Sequence, residues 1–158
     1  MTQQDRIDEI DKKLLRLLQQ NSRMTVKELA AEVNLSPTPT FERQKRLERD
    51  GFITRYSAVV DHHKMGNSVI VLCNVRLKQH THDLIQQFMD TVQGIDQITE
   101  CYNTTGDFDF QIKVYARDMQ AYQDFMLNTL GNIDCIGSLQ SVIVIGEIKN
   151  SHVIPAAR

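Results

Sequence analysis

The sequence has 158 residues, of which 41% are hydrophobic and 24% are charged, and its formal net charge is −2. This length allows one ordinary domain or two small ones, and the composition is that of a globular protein rather than a disordered or fibrous one. No apolar run approaches the roughly 20 residues that span a bilayer, and the first residues lack the basic and apolar regions of a signal peptide. We therefore expect a cytoplasmic protein without membrane segments.

Charge is distributed unevenly along the chain. The first 60 residues carry eleven basic and nine acidic side chains, which gives this part a net charge of +2 and the remainder −4. A basic segment on an otherwise acidic protein is typical of DNA contact confined to one end of the molecule.

Apolar residues at helical spacing predict a first helix over residues 8–21. A second helix is predicted from Thr25, because Thr25 and Glu28 have the spacing of a capping box and Met24 can pack on Leu29. Asn34 is expected to end this helix, since asparagine tolerates the left-handed conformation that follows helices.

The third helix is predicted to begin after Thr38 as its N-cap. Residues before proline avoid the helical conformation, and Pro39 would then occupy the first helical position, where its missing N–H costs nothing. The helix is expected to run to Asp50, with Gly51 as its stop. Side chains that follow each other at about 100° form two faces. The predicted docking face contains Phe41, Gln44 and Leu47, and the predicted outer face contains Glu42, Arg43, Arg46 and Arg49.

Two short helices joined by a tight turn, the second of them basic, indicate a helix-turn-helix whose recognition helix lies on DNA. Thr40 and Arg43 are predicted to reach base edges, and later side chains to reach phosphates. Residues 51–56 are predicted to form a short strand or wing beside the helix. The alternative is a solvated basic helix in a helical bundle. The predicted DNA contacts are Ser36, Thr38, Thr40, Arg43, Lys45, Arg46, Arg49, Arg55 and Tyr56.

The second half of the chain alternates between strands and helices. The predicted order is β-α-β-β-α-β, which is the ferredoxin-like arrangement of an antiparallel sheet with both helices on one face. The chain is thus predicted to be an α+β protein with a helix-turn-helix domain over residues 1–60, a linker over 61–68 and a ferredoxin-like domain over 69–158. The predicted strands cover residues 69–77, 95–103, 107–115 and 139–148, and the predicted helices cover residues 81–92 and 118–130.

The first and last predicted strands carry apolar residues on both faces. Ile70 and Leu72 lie opposite the other apolar positions of the first strand, and Ile143 and Ile145 do the same in the last. A second apolar face on a small domain implies a partner, and self-association of two sheets is the simplest one. We therefore expect a homodimer, which would also let two helix-turn-helix units read two half-sites.

The sequence contains no convincing set of catalytic or metal-binding residues. Cys73, Cys101 and Cys135 are widely spaced, without a C-x-x-C pair, and are expected to be free thiols. The histidine pairs lack a third ligand at zinc-site spacing, so neither a metal nor a cofactor is predicted. No grouping of Ser, Cys, His and carboxylate indicates an enzyme.

Four groups of residues form a specific pattern when they are taken together: Ile10-Asp11, Leu35-Ser36-Pro37-Thr38-Pro39, Arg43 through Arg46-Leu47-Glu48 to Gly51-Phe52-Ile53, and Glu100-Cys101-Tyr102 through Thr105-Gly106-Asp107-Phe108-Asp109. With these motifs the chain resembles the Lrp/AsnC family of transcription factors, the leucine-responsive and asparagine regulators, from about Ile7 to the C-terminus. The resemblance implies an N-terminal helix-turn-helix joined to a ferredoxin-like effector domain. In the family this domain dimerises, often assembles into octamers, and binds small molecules, usually amino acids, between protomers. Gln44 and His62 depart from the family, which generally has an apolar residue and commonly a proline there.

The resemblance points to residues 104–109 as an effector site. A free amino acid needs N–H donors for its carboxylate and an anion for its ammonium group. Gly106 allows backbone amides to converge on an anion, and Asp107 and Asp109, two apart on a predicted strand, would share a face. The alternatives are an ordinary hairpin turn here and core packing for the matching residues further along the chain. The predicted effector contacts are Asn103, Thr104, Thr105, Gly106, Asp107, Asp109, Met119, Ser141 and Ile143.

The leading hypothesis is a sequence-specific, DNA-binding transcription regulator whose oligomeric state or DNA affinity changes when a free amino acid binds. Its predicted partners are double-stranded DNA, that amino acid and further copies of the chain, as a homodimer that assembles to an octamer. The alternative is an effector-independent protein that wraps DNA with the same helices.

Overall fold

The computed structural model describes residues 7–156, which form two compact units. The first contains the described residues up to Val59 together with those from Lys149 onwards, and the second spans Val60–Ile148. The sequence predicts one domain from residue 69 to residue 158, but the described C-terminal residues pack with the helical unit. There the Gln19 side-chain amide exchanges two hydrogen bonds with the backbone of Ile154 (2.7 and 3.3 Å).

Local caps set the starts of the first two helices. Asp8 caps the first helix and Thr25 the second, and in each a carboxylate three residues later accepts the backbone N–H of the cap. Asn34 ends the second helix with a φ of 55°. These observations confirm the predicted start and end of the second helix. The three helices of this unit are α1 Glu9–Gln20, α2 Val26–Val33 and α3 Pro37–Arg49.

The third helix begins earlier than predicted. Its N-cap is Ser36 and its first residue is Pro37, so Thr38 lies inside the first turn instead of capping it. The helical turn here overrides the extended preference of the pre-proline residue Thr38. Pro39 itself loses no hydrogen bond, because the first four N–H groups of a helix have no intrahelical acceptor. The helical ladder starts with the Thr40 N–H, which donates to the Ser36 carbonyl (3.4 Å).

The segment 51–56, predicted to be a short strand or wing, is not a strand. Gly51 has a φ of +79°, which turns the chain at the end of α3. The N–H groups of Phe52 and Ile53 then both donate to the Leu47 carbonyl (2.9 and 3.1 Å). Both side chains pack against the helical core, so the segment is held by α3 instead of by a partner strand.

The polar side chain of Gln44 makes hydrogen bonds that an apolar residue could not make. Its amide donates to the Tyr56 hydroxyl (3.1 Å) and to Glu48 Oε1 (3.3 Å), and the Tyr56 hydroxyl donates to the same Glu48 oxygen (2.9 Å). These bonds attach the chain that follows α3 to the helix itself. The departure from the usual apolar residue is therefore compensated by hydrogen bonds.

The second unit is a four-stranded antiparallel sheet with two helices, as predicted. Across the sheet the strands lie in the order second, third, first and fourth, counted along the chain, and every neighbouring pair is antiparallel. This is the ferredoxin-like arrangement. No helix among the described residues combines the length and apolar character that a membrane span requires. The elements are β1 Val69–Leu77, α4 His82–Gln93, β2 Ile98–Asn103, β3 Phe110–Ala116, α5 Met119–Asn128 and β4 Ile136–Ile143, with a short 3₁₀ turn at Leu130–Asn132.

The β2–β3 loop is longer than predicted, which changes the candidate ligand site. The register of these strands ends at the pair Asn103 and Phe110, and the loop between them closes when the Thr104 N–H donates to the Asp109 carbonyl (2.9 Å). Asp107 and Asp109 therefore lie in the loop and not in a strand. The alternation that would have put their side chains on one face does not apply to them.

The two faces of the sheet differ in polarity. On one face Val75 and Ile112 are fully buried against α4 and α5, where Phe88 provides the largest apolar side chain. The other face carries a polar row across three strands, in which Gln111 donates to Asn74 (3.0 Å) and Asn74 donates to Gln140 (3.1 Å). The predicted second apolar face is therefore polar at its centre, where amide side chains of three strands hydrogen-bond to one another.

The edge strand β4 ends before its predicted last residue. After the Val144 N–H donates to the Ile70 carbonyl (2.9 Å), the chain leaves the sheet. Ile145 and Ile148 are then almost fully exposed. Ile143, predicted to lie opposite Val142 and on the second apolar face, instead pairs with the core residue Val71 and lies on the helix side of the sheet.

The predicted linker is an ordered turn of the second unit. The Asn67 N–H donates to the His62 carbonyl (2.8 Å), and the Asn67 carbonyl contacts His62 Nδ1 (2.7 Å). The His62 ring also meets the Tyr115 ring edge-on, with 5.5 Å between centroids. His62 therefore stiffens this segment through contacts that a proline could not make.

Asn34 is predicted to stabilise the turn between α2 and α3. Its left-handed backbone suits Asn or Gly but costs a residue with an ordinary Cβ about 1 kcal/mol or more. Asn34→Ala should therefore lower the free energy of unfolding by about 1 kcal/mol, whereas Asn34→Gly should change it by only a few tenths. Urea unfolding followed by circular dichroism measures both, and equal stabilities for the two variants would contradict this role of the backbone.

Candidate nucleic-acid interface and ligand site

The outer side of α3 is cationic. Arg49 has 73% of its side chain exposed and donates to neighbouring Asp50 (3.1 Å), and Lys45 pairs with Glu48 (2.7 Å). The hydrogen bond that Lys45 donates to the Glu48 carboxylate raises the pKa of Lys45, so this side chain remains charged at neutral pH. A shallow depression, which we call the arginine depression, is lined by Glu42, Arg43, Arg46 and Arg49.

Two of these arginines are bound to α1. Asp11 has 1% of its side chain exposed, and its two oxygens accept from Arg43 (2.8 Å) and Arg46 (2.5 Å). Arg43 also donates to Asp8 (2.7 Å). Hydrogen bonds from Arg43 to Asp11 and Asp8 raise the pKa of the arginine. A buried carboxylate requires such partners, so this ion-pair cluster fastens α3 to α1.

The predicted faces of α3 are rotated relative to the observed ones. The buried side contains Leu47 and Thr40, whose hydroxyl donates to the Ser36 carbonyl (3.0 Å), while Phe41 is 45% exposed. Thr40 has no accessible surface, so in this conformation it cannot contact a base edge as predicted. Arg43 lies about 60° from Thr40 around the helix, close enough to the buried side to reach α1.

The remaining predicted DNA contacts lie at the two ends of α3. Ser36 and Thr38 are exposed at its start, and Arg55 is exposed beyond its end. Tyr56 is 46% exposed, with its hydroxyl already bonded to Glu48 and Gln44. These residues border the cationic side without completing a pocket of their own.

The β2–β3 loop is fixed from both sides. Asn103 donates to the Asp109 carbonyl (3.1 Å) and the Thr104 hydroxyl to the Phe108 carbonyl (3.0 Å). From β1, the Arg76 Nε donates to the Asp107 carbonyl (2.7 Å), and its guanidinium lies 5.4 Å from the centroid of the Phe108 ring. Gly106 has a φ of +109°, a conformation that glycine adopts without strain.

The two candidate aspartates of this loop differ in whether their side chains are exposed to a ligand. Asp109 is nearly buried, and its oxygens contact the Leu77 N–H (2.7 Å) and His80 Nδ1 (2.9 Å). Asp107 is exposed. The loop therefore offers the Asp107 carboxylate, with the exposed backbone of Thr105 and Gly106, to a ligand, whereas Asp109 serves to hold the loop on β1.

Met119 and Ser141 line a separate depression between α5 and β4, together with Tyr122, Met126 and Leu127. The Tyr122 hydroxyl contacts Ser141 Oγ (2.5 Å). Because β2 and β4 form opposite edges of the sheet, one chain does not bring this α5–β4 depression and the β2–β3 loop together. Within the described residues, no three His, Cys, Asp or Glu side chains could hold a metal ion.

Two family models match separate parts of the chain. Residues 7–54 match the winged helix-turn-helix DNA-binding model, and residues 70–154 match the Lrp/AsnC ligand binding domain. The chain belongs to the Lrp/AsnC family. It is a transcription regulator with a DNA-binding helix-turn-helix domain and a ligand-binding domain.

Individual relatives of this Lrp/AsnC regulator match over nearly the whole chain. The leucine-responsive regulatory protein of Escherichia coli strain K12 is 36% identical over 146 residues, which cover 92% of this chain and 89% of the relative. A transcriptional regulator of Neisseria meningitidis, solved with L-methionine, has a TM-score of 0.91 at 30% identity and covers 94% of this chain and 96% of its own. An AsnC family regulator from Agrobacterium tumefaciens has a TM-score of 0.89 at 32% identity, covering 94% and 97%.

Sequence reasoning missed several residues of these sites. Asp11 belongs to a motif that carries the family resemblance, but no local pattern shows that it meets arginines more than 30 residues away. No local pattern reveals the contacts of Arg76 and His80 either, because their partners are in a distant loop. Tyr122 sits at a helical spacing that indicates core packing, and its hydroxyl contact with Ser141 gives no sequence signal.

Tyr122 is predicted to make the regulator less stable as pH rises from about 10 to about 12. Burial raises its pKa to about 12 in the folded protein, whereas tyrosine in an unfolded chain titrates near 10. Between these values the unfolded chain has lost a proton that the folded chain still holds, so ionisation favours unfolding. The free energy of unfolding should fall by up to about 2 kcal/mol more than in Tyr122→Phe.

Urea unfolding of both proteins over this pH range measures the difference. The other tyrosines are present in both proteins, so their contribution cancels. Parallel pH curves for the two proteins would contradict a buried, neutral Tyr122 hydroxyl.

Proposed function

We propose that this Lrp/AsnC regulator contacts double-stranded DNA through the exposed side of α3, and that a free amino acid changes its assembly or its DNA affinity in the cytoplasm. The observation that carries the first part is the outward cationic surface of Arg49, Lys45 and the arginine depression. Lysine and arginine attract phosphates, and the start of a recognition helix approaches the bases. Bound DNA would meet this surface without disturbing the core of the unit.

The proposed DNA contacts fall into two groups. Exposed Ser36, Thr38, Lys45, Arg49 and Arg55 are free to approach the duplex, whereas Arg43 and Arg46 can offer only the donors that Asp11 and Asp8 leave unused. Tyr56 contributes an exposed ring edge. Thr40 is not included, because it is buried.

The proposed effector is a free amino acid, held partly by the β2–β3 loop. Asp107 would pair with its ammonium group, and the backbone around Gly106 would donate to its carboxylate. The Neisseria meningitidis relative with L-methionine supports this class of ligand. An apolar side chain would suit the α5–β4 depression, which is lined by Met119, Met126 and Leu127.

The two parts of this site imply assembly. Since β2 and β4 lie at opposite edges of the sheet, a second copy would have to bring its α5–β4 depression, with Ser141 and Ile143, to the loop. Exposed Met119, Ile145 and Ile148 provide apolar surface for such contacts. We propose a homodimer that assembles further, to an octamer, with ligand between copies and without a metal, cofactor or catalytic step.

An effector-independent protein that wraps DNA remains the second candidate. It uses the same exposed side of α3, and repeated copies would extend the basic surface along a duplex. The two candidates differ in whether an amino acid changes stability, assembly or DNA affinity.

Arg49→Gln is predicted to weaken binding to all duplexes. Loss of one phosphate contact should reduce the magnitude of the salt slope, which is the change in log affinity with log salt concentration, by about 0.9. Arg117→Gln is a matched control, because Arg117 is 76% exposed and, like Arg49, pairs with the aspartate that follows it. Fluorescence anisotropy over a series of KCl concentrations gives the slopes. If the two variants behave alike, Arg49 is not at the DNA interface.

One amino acid of the common twenty is predicted to raise the melting temperature, because a ligand of the folded state stabilises it in proportion to its occupancy. Asp107→Asn should reduce that shift by removing the partner of the ammonium group. Asp96→Asn, an exposed aspartate before β2, should retain the shift. If none of the twenty changes the melting temperature or the assembly size, the effector-independent function is favoured instead.

A further inference from the structure

Asp11 lies beneath the DNA-facing helix in an unusual electrostatic position. It is 1% exposed, yet its two oxygens accept from three donors: the guanidinium groups of Arg43 and Arg46 and the backbone N–H of Asp8 (3.1 Å). The negative charge is therefore held inside the helical unit, directly behind two of the three arginines of the arginine depression. Because the Asp11 carboxylate is hydrogen-bonded to both arginines, it influences how they bind an anion.

The ion pairs fix the direction of both guanidinium groups. In Arg43 both donors of Nη1 are used, one on Asp8 and one on Asp11, and in Arg46 Nη2 donates to Asp11. A guanidinium is planar and rigid, so anchoring one terminal nitrogen sets the plane and the direction of the remaining N–H groups. Those groups belong to side chains that line the arginine depression, where a base edge or a phosphate would lie.

The same ion pairs reduce the charge available to phosphates. Non-specific affinity depends on the number of phosphates that free cations neutralise, and Arg43 and Arg46 already have carboxylate partners. Arg49 differs, because it is 73% exposed and its one partner, Asp50, lies beside it on the surface. Asp11 therefore lowers the general attraction of α3 for DNA while holding two arginines in one orientation.

We propose that Asp11 is a positioning residue for DNA recognition, which restrains Arg43 and Arg46 so that the regulator discriminates between sequences at the expense of non-specific phosphate binding. This inference rests on the proposed contact of α3 with DNA. It differs from a purely structural role for Asp11, which would affect stability but neither salt dependence nor sequence preference.

The test compares Asp11→Asn with the wild-type full chain on two duplexes. One duplex is selected by the wild-type protein from a randomised pool, and the other is a scrambled sequence of the same length and composition. Asparagine keeps the shape and one acceptor oxygen but removes the charge. Affinity for both duplexes is measured by fluorescence anisotropy over a series of KCl concentrations.

Asp11→Asn is expected to bind the scrambled duplex more tightly than wild type, with a salt slope steeper by about one to two, because up to two arginines become free to neutralise phosphates. The ratio of selected to scrambled affinity should fall by about tenfold, which is the loss expected when an oriented arginine contact to a base is released. Both changes together support the proposal.

Glu9→Gln is the matched control. Glu9 lies on the same helix and its loss changes the net charge equally, but it is 87% exposed and pairs with Lys12 (2.6 Å) at the surface. This variant should keep the wild-type ratio of affinities. If Asp11→Asn shows the same slope and ratio as Glu9→Gln, the proposal is overturned. If the wild-type protein itself prefers no duplex, the proposed sequence-specific function fails instead.

Thermal denaturation of each variant shows whether Asp11→Asn is folded. If it is not, a second variant, Arg46→Gln, tests the proposal. Arg46→Gln should reduce the salt slope less than Arg49→Gln, because the charge of Arg46 is already matched by Asp11, while it should reduce the ratio of affinities more. The reverse order of these two effects would show that Arg46 acts as a free cation, and would overturn the proposal.

Discussion

The buried carboxylate of Asp11 is the constraint on which the DNA-binding unit depends. A charge removed from water must be paired, and α3 supplies the two guanidinium groups that pair with Asp11, so these ion pairs fix the rotation of α3 on α1. Leu14, Leu29 and Leu47 complete the contact with apolar packing. The consequence is a helix with two kinds of arginine: Arg43 and Arg46, which are paired with a buried carboxylate, and Arg49, which is paired with Asp50 at the surface.

A similar use of polar groups appears in the ligand-binding unit. Asp109 gives its side chain to the backbone of β1 and to His80, and Arg76 binds the loop from the same strand. These contacts hold the backbone of the loop in place, and the side chain of Asp107 remains exposed. In both units, one acidic residue maintains the geometry and a neighbouring charged residue is left available. The structure therefore distinguishes residues that maintain the geometry of a site from residues that are available to DNA or a ligand. Similarity of sequence alone does not separate these two groups.

The parts of this fold that could be predicted are those encoded by neighbouring residues. The Thr25 and Glu28 capping box, the left-handed Asn34 and the β-branched run of β1 each depend on a few consecutive positions, and the ferredoxin-like order follows from the sequence of elements. The early start of α3 at Pro37 is a local failure, but most of the other failures involve distant partners. The face of α3 depends on a carboxylate in α1, and the ends of β3 and β4 depend on pairing across the sheet. The candidate ligand residues form one predicted group because the family resemblance gives only positions along the chain. It does not show that some of them lie in the β2–β3 loop and others in the α5–β4 depression.

The central claim is that α3 meets DNA with the exposed side chain of Arg49 while Asp11 continues to hold Arg43 and Arg46. A crystal structure of the full chain bound to the duplex that it selects would test this most directly. The account predicts the Arg49 guanidinium within hydrogen-bond distance of a phosphate, with both Asp11 ion pairs retained and the other donors of Arg43 and Arg46 directed at the duplex. A duplex bound away from α3, or Arg43 and Arg46 both turned from Asp11 toward phosphates, would contradict it.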